Sequence, residues 1–345
     1  MSDLEDRLER YRGAVQQEMR EVLGDAPDAM HAPLNSWMRY HLGWEDREGR
    51  PVAASPGKML RPVALLLATE LAGGAVEAAL PAAAAVELVH NFSLLHDDIE
   101  DGSERRRGRA TVWTFAGRAQ AINAGDAMFT LAHLALHRLA GAGVPPERVT
   151  AATRELDEAC LRLVHGQYLD ISFEGRTDVT LDEYLAMAAG KTAAMFAASF
   201  AMGALVGGAG PGLVDGYREF GRRIGLAFQA VDDVLGVWGD PAVTGKPVGD
   251  DLLSRKMTMP VIVALAEGGD AAGALRRAYA SPPAPGEDVE PLRALVELTP
   301  ARGRTEAIAE AEERAALDAL RAAGAGEEAL LLCAAFARSA VGRDS

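Results

Sequence analysis

The chain has 345 residues, is 49% hydrophobic and 25% charged, and carries a formal net charge of −15. That balance belongs to a globular protein able to bury a large core without staples, and the acidic excess excludes the basic footprint that sequence-independent nucleic-acid binding needs. Its two cysteines, Cys160 and Cys333, sit in apolar surroundings and form no CxxC pair, which argues against a disulfide framework or a thiolate zinc site and for a reducing cytoplasm.

The chain opens with MSDLEDRLERYRG, which is charged and lacks the apolar core of a leader, and residues 4–23 predict an amphipathic helix. Residues 45–56 are polar and punctuated by Gly and Pro, the composition of a loop. From 59 to 137 one helix follows another, with a break at Gly73-Gly74, and a turn spans 141–146. Long helices are predicted over 146–173 and 181–206. Residues 193–214 carry no charge and reach the length of a membrane span, yet they are rich in Ala, Gly and Ser and break at Gly210-Pro211. A buried helix, and no membrane span, is the expectation there. A helix over 217–238, a Gly/Pro-rich loop over 239–249, a flexible connector at 281–286 (SPPAPG) and helices over 305–323 and 327–338 complete the pattern. Strand signals are scarce and no repeat or domain boundary stands out. The expected architecture is all-α, one large helical bundle forming a single domain over 1–345.

The apolar segment 82–95 leads into His96-Asp97-Asp98-Ile99-Glu100-Asp101. Asp97 and Asp101 stand four apart and share a helix face, where like charges repel unless a cation lies between them. Magnesium accepts a few carboxylates together with phosphate oxygens and water, which this spacing suits. A solvated acidic helix end is the plainer reading of one such cluster. It weakens because Asp232-Asp233 repeats the pattern at the end of the apolar stretch 224–231. Two clusters on separate helices can face each other across a bundle interior and hold several cations around one diphosphate.

Basic groups accompany both. Arg105-Arg106-Arg107-Gly108-Arg109 follows the first cluster directly, and guanidinium forks match phosphate oxygens. Gly57-Lys58-Met59-Leu60-Arg61-Pro62 sits where a loop enters a helix, whose free amides favour anions. Lys191-Thr192 opens the long apolar helix, a poor place for a lysine without a partner, and Lys246 and Lys256 lie in or just after the Gly/Pro loop. Any one of these lysines alone reads as a surface charge, and their recurrence beside acidic clusters points to phosphate.

These residues resemble the trans-prenyl diphosphate synthases, the farnesyl, geranylgeranyl and longer-chain synthases, most clearly between residues 55 and 265. Asp97 to Asp101 (DDIED) is similar to the family's first aspartate-rich motif, DDxxD, with Arg106-Arg107-Gly108 at the expected distance. Asp232-Asp233-Val234-Leu235-Gly236 is similar to the second, and Gly239-Asp240-Pro241, Thr244-Gly245-Lys246, Asp251 and Lys256 also fit. The resemblance implies a helical bundle of the isoprenoid synthase type with a central active-site cavity, a homodimer, and condensation of isopentenyl diphosphate with an allylic prenyl diphosphate. It implies that Asp97, Asp101 and Asp232 ligate about three magnesium ions that hold the allylic diphosphate, with Asp98 and Asp233 supporting them. Arg106, Lys191, Lys246 and Lys256 would contact that diphosphate, and Lys58, Arg61, His90 and Arg107 the diphosphate of isopentenyl diphosphate. Thr192, Gln229 and the Lys191 carbonyl would face the allylic cation, and Gln167 and Asp170 match a family element near the metals. His90 alone would read as a core group of an apolar helix, and its place seven residues before Asp97 raises it. In the implied chemistry, metal and Lys/Arg charge stabilise the departing diphosphate, apolar helices keep water from the carbocation, and the diphosphate serves as base.

Two positions depart from the family. Gly236 stands where a third aspartate is most common, and Asp240 could compensate through water, while Met59 replaces an arginine. For chain length, the resemblance has the product tail growing along the helix of Asp97 and Asp101, with Phe92 as floor, Ser93 leaving room beside it and Val89 a turn further on. The first motif lacks the two-residue insertion of many bacterial relatives, so a C20 product is expected over C15. A class I terpene cyclase has no use for Lys58, Arg61, His90 and Arg107, and a regulatory subunit would be expected to lose its aspartates.

Overall fold

The structure, a computed structural model, describes residues 2–52, 54, 57–239, 249–284 and 286–342. Lys246 lies outside the described residues, as do Asp240, Pro241, Thr244 and Gly245. The chain gathers into two compact units, one comprising Met1–Asp157 and Ser199–Val214, the other Glu158–Ala198 and Asp215–Ser345.

The first unit contains α1 (Ser2–Leu23), α2 (Ala32–His41), α3 (Leu60–Leu71), α4 (Val76–Glu100), a two-residue hairpin of β1 (Arg105–Arg106) and β2 (Arg109–Ala110), α5 (Val112–Ala116) and α6 (Arg118–Gly141). Its core mixes leucine and valine with alanine. Val63 to Ala68 of α3 and Ala82 to Val86 of α4 are fully buried, and alanine lets helices approach closely at little entropic cost. The residues 199–207 pack backbone to backbone on α3, since a Cβ on Gly203 would collide with the Leu65 carbonyl and one on Gly207 would stand 2.6 Å from that of Thr69. The Thr69 hydroxyl donates to Gly203 O at 3.1 Å across this contact.

In the second unit α7 (Pro146–Ser172) supplies its later turns, followed by α8 (Leu181–Ala188), a π-helical turn Ala189–Ala193, α9 (Ala194–Gly207) and α10 (Pro211–Trp238). A single turn Asp250–Leu253 precedes α11 (Met259–Ala266), α12 (Gly269–Tyr279), α13 (Glu290–Glu297), α14 (Ala301–Ala322) and α15 (Glu327–Val341). A capping box starts α8: Glu183 N donates to Thr180 Oγ1 at 3.2 Å and Thr180 N to Glu183 Oε2 at 2.8 Å. The core of this unit joins Tyr184, Met187, Ala227, Val237, Val261 and Leu275.

The all-α expectation holds, with local corrections. The helix predicted over 181–206 is interrupted at 189–193, so Lys191 and Thr192 sit in a π-helical turn between α8 and α9 and do not open a helix. The helix predicted from 217 begins at Pro211, whose missing N–H suits a first helical position. The arginine run forms a hairpin, with Arg107 (φ 49°) and Gly108 (φ 73°) at its turn, the two positive φ values a tight hairpin twist requires. Val76–Glu100 and Leu181–Gly207 are long and apolar enough to cross a membrane, but 67% and 78% of their apolar windows are buried inside the protein. Their apolarity is used by the core.

Candidate active site

Helix α4 ends in Asp97, Asp98 and Glu100, with Asp101 as C-cap and no basic residue in the last turn. Carboxylates at a helix C-terminus oppose the helix dipole, so this end calls for positive charge. Arg106 supplies part of it, donating from Nε to Asp98 Oδ1 at 2.7 Å and from Nη2 to Asp97 Oδ2 at 3.2 Å. Asp98 is 1% exposed, and its Oδ2 has no hydrogen-bond partner among the described residues. Burial pushes its pKa up to about 6, against the pull of Arg106. Asp97 is half-buried and Asp101 exposed on the same face. Among the described residues no three His, Cys, Asp or Glu side chains form a ready cage for a metal. The donor set fits a cation that completes its shell with phosphate oxygens and water, as magnesium does.

The basic residues of the first unit gather around the start of α3. Lys58 lies just before the helix and Arg61 in its first turn, with buried Met59 left-handed at φ 47° as the N-cap. Gly57 has φ +85°, and a Cβ on it would stand 2.6 Å from Arg107 Nη2. Glycine there serves both the turn and the approach of the guanidinium. Arg61 Nη1 and His90 Nε2 are 3.4 Å apart. Burial, then the charges of Arg61 and Arg107, hold the His90 pKa well below its usual 6.5, so the ring is neutral. The other arginines of the run serve the backbone. Arg109 donates to Tyr40 O at 2.7 Å and Glu45 O at 2.6 Å, and Arg105 donates to Gly108 O within its own turn.

Glu87 is a member of this cluster that motif reasoning missed. It is 3% exposed and accepts from Asn91 Nδ2 at 3.0 Å, while its Oε2 and Asn91 Oδ1 are buried without a hydrogen-bond partner among the described residues. Burial pushes its pKa up to about 7, opposed by Arg61 and Arg107. The available signal was a lone acid in the run AAAAVELVHN, three residues before His90.

In the second unit, Lys191 Nζ donates to Asp170 of α7. The partner is reached because α7 and the π-helical turn touch through glycines. A Cβ on Gly166 would collide with Lys191 N, and one on Gly190 would lie 2.6 Å from Arg162 O. Thr192 Oγ1 donates to Gln229 Oε1 at 2.5 Å, and Gln229 Nε2 donates to Asp233 Oδ1 at 2.9 Å. Asp233 Oδ2 accepts from the Tyr184 hydroxyl and from Met259 N. Burial pushes the Asp233 pKa up to about 7 against these donors, and its neighbour Asp232 is exposed. Tyr184 carried no motif signal. At Gly236 a Cβ would collide with the Asp251 carboxylate, so Asp251 takes the space that a third aspartate side chain would need. Lys256 N donates to Asp251 O at 2.9 Å, which ties the position of that lysine to the same turn. Gln167 is half-buried one turn from Asp170.

Of the residues expected to control chain length, Val89 is fully buried and Ser93 donates its hydroxyl to His90 O at 2.8 Å. The Phe92 ring packs edge-on against Phe129 of α6, centroids 4.9 Å apart, and against His96 at 5.4 Å. Phe129 was not foreseen, because the pairing of α4 with α6 is not written in either helix.

Comparison with known proteins gives these motifs their family. The chain is 48% identical to (2E,6E)-farnesyl diphosphate synthase of Mycobacterium tuberculosis over 259 residues, 75% of this chain and 71% of that protein. It is 46% identical to a geranylgeranyl diphosphate synthase of the same organism over 279 residues, 80% and 78% of the two chains. The fold matches a polyprenyl synthetase from Streptomyces coelicolor with a TM-score of 0.89 at 39% identity, covering 96% of this chain and 98% of that one. It matches a geranylgeranyl pyrophosphate synthase from Corynebacterium glutamicum, complexed with isoprenyl diphosphate and magnesium, with a TM-score of 0.82 at 27% identity, covering 97% and 98%. Residues 49–296 match the Polyprenyl synthetase family, and the chain belongs to it.

Proposed function

We infer that the chain is a short-chain trans-prenyltransferase that condenses isopentenyl diphosphate with an allylic prenyl diphosphate. The observation that carries this reading is its 48% and 46% identity to a farnesyl and a geranylgeranyl diphosphate synthase. The gathering of basic groups around Arg61, His90 and Arg107 supports condensation over cyclisation, because ionising one diphosphate needs no second anion site.

In the proposed mechanism Asp97, Asp101 and Asp232 would hold about three magnesium ions, which would supply positive charge to the leaving allylic diphosphate. The magnesium of the Corynebacterium relative and the unfavourable carboxylates at the end of α4 support this. Asp98 orients Arg106, and Asp233 orients Gln229 and through it Thr192. Arg106, Lys191, Lys246 and Lys256 hold the allylic diphosphate, and Lys58, Arg61, His90 and Arg107 the other. The proposed product is C20 geranylgeranyl diphosphate, with Phe92 backed by Phe129 as the floor. We propose one catalytic domain, working as a cytoplasmic homodimer. The exposed row Leu161, Val164, Tyr168 and Ile171 on α7 offers an apolar face for a second copy. Cys160 and Cys333, both buried and in no disulfide, suit a reducing compartment.

The test incubates the protein with magnesium, labelled isopentenyl diphosphate and C5, C10, C15 or C20 allylic diphosphates. Label in a C20 alcohol after dephosphorylation is expected, and a C15 end product would make it a farnesyl synthase. Unlabelled hydrocarbon from a C15 or C20 substrate alone would move it to the cyclases. Phe92→Ala should extend the product by one or more isoprene units, and an unchanged spectrum would place the floor elsewhere.

A further inference from the structure

His41, the last residue of α2, has no part in the mechanism above. Its Nε2 is buried with no hydrogen-bond partner among the described residues. The ring lines a small cavity of about 40 Å³ together with Asp98, Arg106, Arg107 and Thr111. Burial, then the charges of Arg106, Arg107 and Arg109, push its pKa down to about 3, so the imidazole is neutral. His90 shares the charges of Arg107 and Arg106 with it, after that of Arg61.

The chain beside the ring is tied to the hairpin. Arg109 donates to the carbonyls of Tyr40 and Glu45 and lies 3.9 Å over the Tyr40 ring. The Tyr40 hydroxyl donates to Ala110 O at 2.8 Å. The hairpin that carries Arg106 and Arg107 therefore also fixes the end of α2. A buried polar nitrogen loses its hydrogen bonds to water and regains none, a cost that an apolar residue would avoid. It is kept in a cavity walled by guanidinium groups, and the ligand chemistry such a wall selects is a phosphate oxygen, which accepts what a neutral Nε2–H donates.

We propose that His41 is a substrate-binding residue, donating from Nε2 to the diphosphate of isopentenyl diphosphate beside Arg107. The choice of that diphosphate rests on the condensing reading, while the cavity and the buried nitrogen do not.

The test is calorimetric titration of isopentenyl diphosphate into the protein in EDTA, so that metal-held diphosphate contributes nothing. His41→Phe should raise Kd about tenfold, the loss of one hydrogen bond to a charged group, and His41→Gln should recover part of it. With magnesium, KM for isopentenyl diphosphate should rise in step, while kcat and the allylic KM stay within about twofold. Thermal melts confirm that both variants fold. Wild-type affinity in His41→Phe, an equal rise in both KM values, or no metal-free binding by the wild type would each overturn the assignment. If the wild type binds, His41→Phe does not, and no longer prenyl alcohol forms, His41 stands and the condensing reading falls.

Discussion

The two aspartate pairs read alike in the sequence and are satisfied differently in the fold. In each, the second residue is buried: Asp98 is 1% exposed and Asp233 4%. In each, burial raises its pKa, to about 6 and about 7. Asp98 is answered by a guanidinium, Asp233 by a phenol, an amide side chain and a backbone N–H. The partners Asp97 and Asp232 keep exposure. A DD pair thus divides its labour, one carboxylate left accessible and one anchoring what surrounds it, and the anchor can be ionic or neutral.

The largest break in this comparison should come from the outward members. Asp97→Ala or Asp232→Ala is expected to lower turnover about a thousandfold with little change in melting temperature, since several kcal/mol of charge stabilisation in the transition state are lost. A folded variant with wild-type rates would remove that residue from the metal site. The inward members should reverse the pattern and separate from each other. Asp98→Asn removes the nearer of the two charge partners of Arg106 and should cost about 3 kcal/mol in denaturant unfolding. Asp233→Asn turns one acceptor into a donor within a set of neutral donors and should cost about 1 to 2 kcal/mol. Equal losses would erase the distinction between ionic and neutral anchors.

Glu87 sharpens the point as a third buried acid, answered by one amide. Its pKa rises from 4.5 to about 7, so between those values the folded protein holds a proton that the unfolded chain has released. Its contribution to stability therefore falls as pH rises through that window and is level above it. Glu87→Gln should gain about 2 to 3 kcal/mol relative to wild type between pH 5 and pH 8, and parallel pH–stability curves would refute this. The smallest effect is expected at Gly236, where Gly236→Ala pushes the Asp251 carboxylate aside. Activity should drop about tenfold, or about 1.4 kcal/mol in the barrier, and no change would mean that the position of Asp251 is immaterial to turnover.

Much of this was legible in the chain. Period and Gly/Pro punctuation located most helices, because both act locally. The interruption at 189–193 was not, since it depends on Gly166 and Gly190 bringing α7 against the turn of Lys191. Tyr184 and Asp233 meet across 49 residues, and Arg109 reaches Tyr40 across 69. Such partners follow from helix packing, which no spacing encodes.

By itself the sequence determined the helical class, the faces on which Asp97 and Asp101 recur, and the residue types able to meet phosphate, because helix geometry converts spacing into direction. Tertiary structure alone decided which aspartate of each pair is buried, that Asp251 stands over Gly236, and that His41 enters an arginine-walled cavity. Burial and charge pairing are properties of what packs around a side chain, and that packing is set by distant segments of the chain.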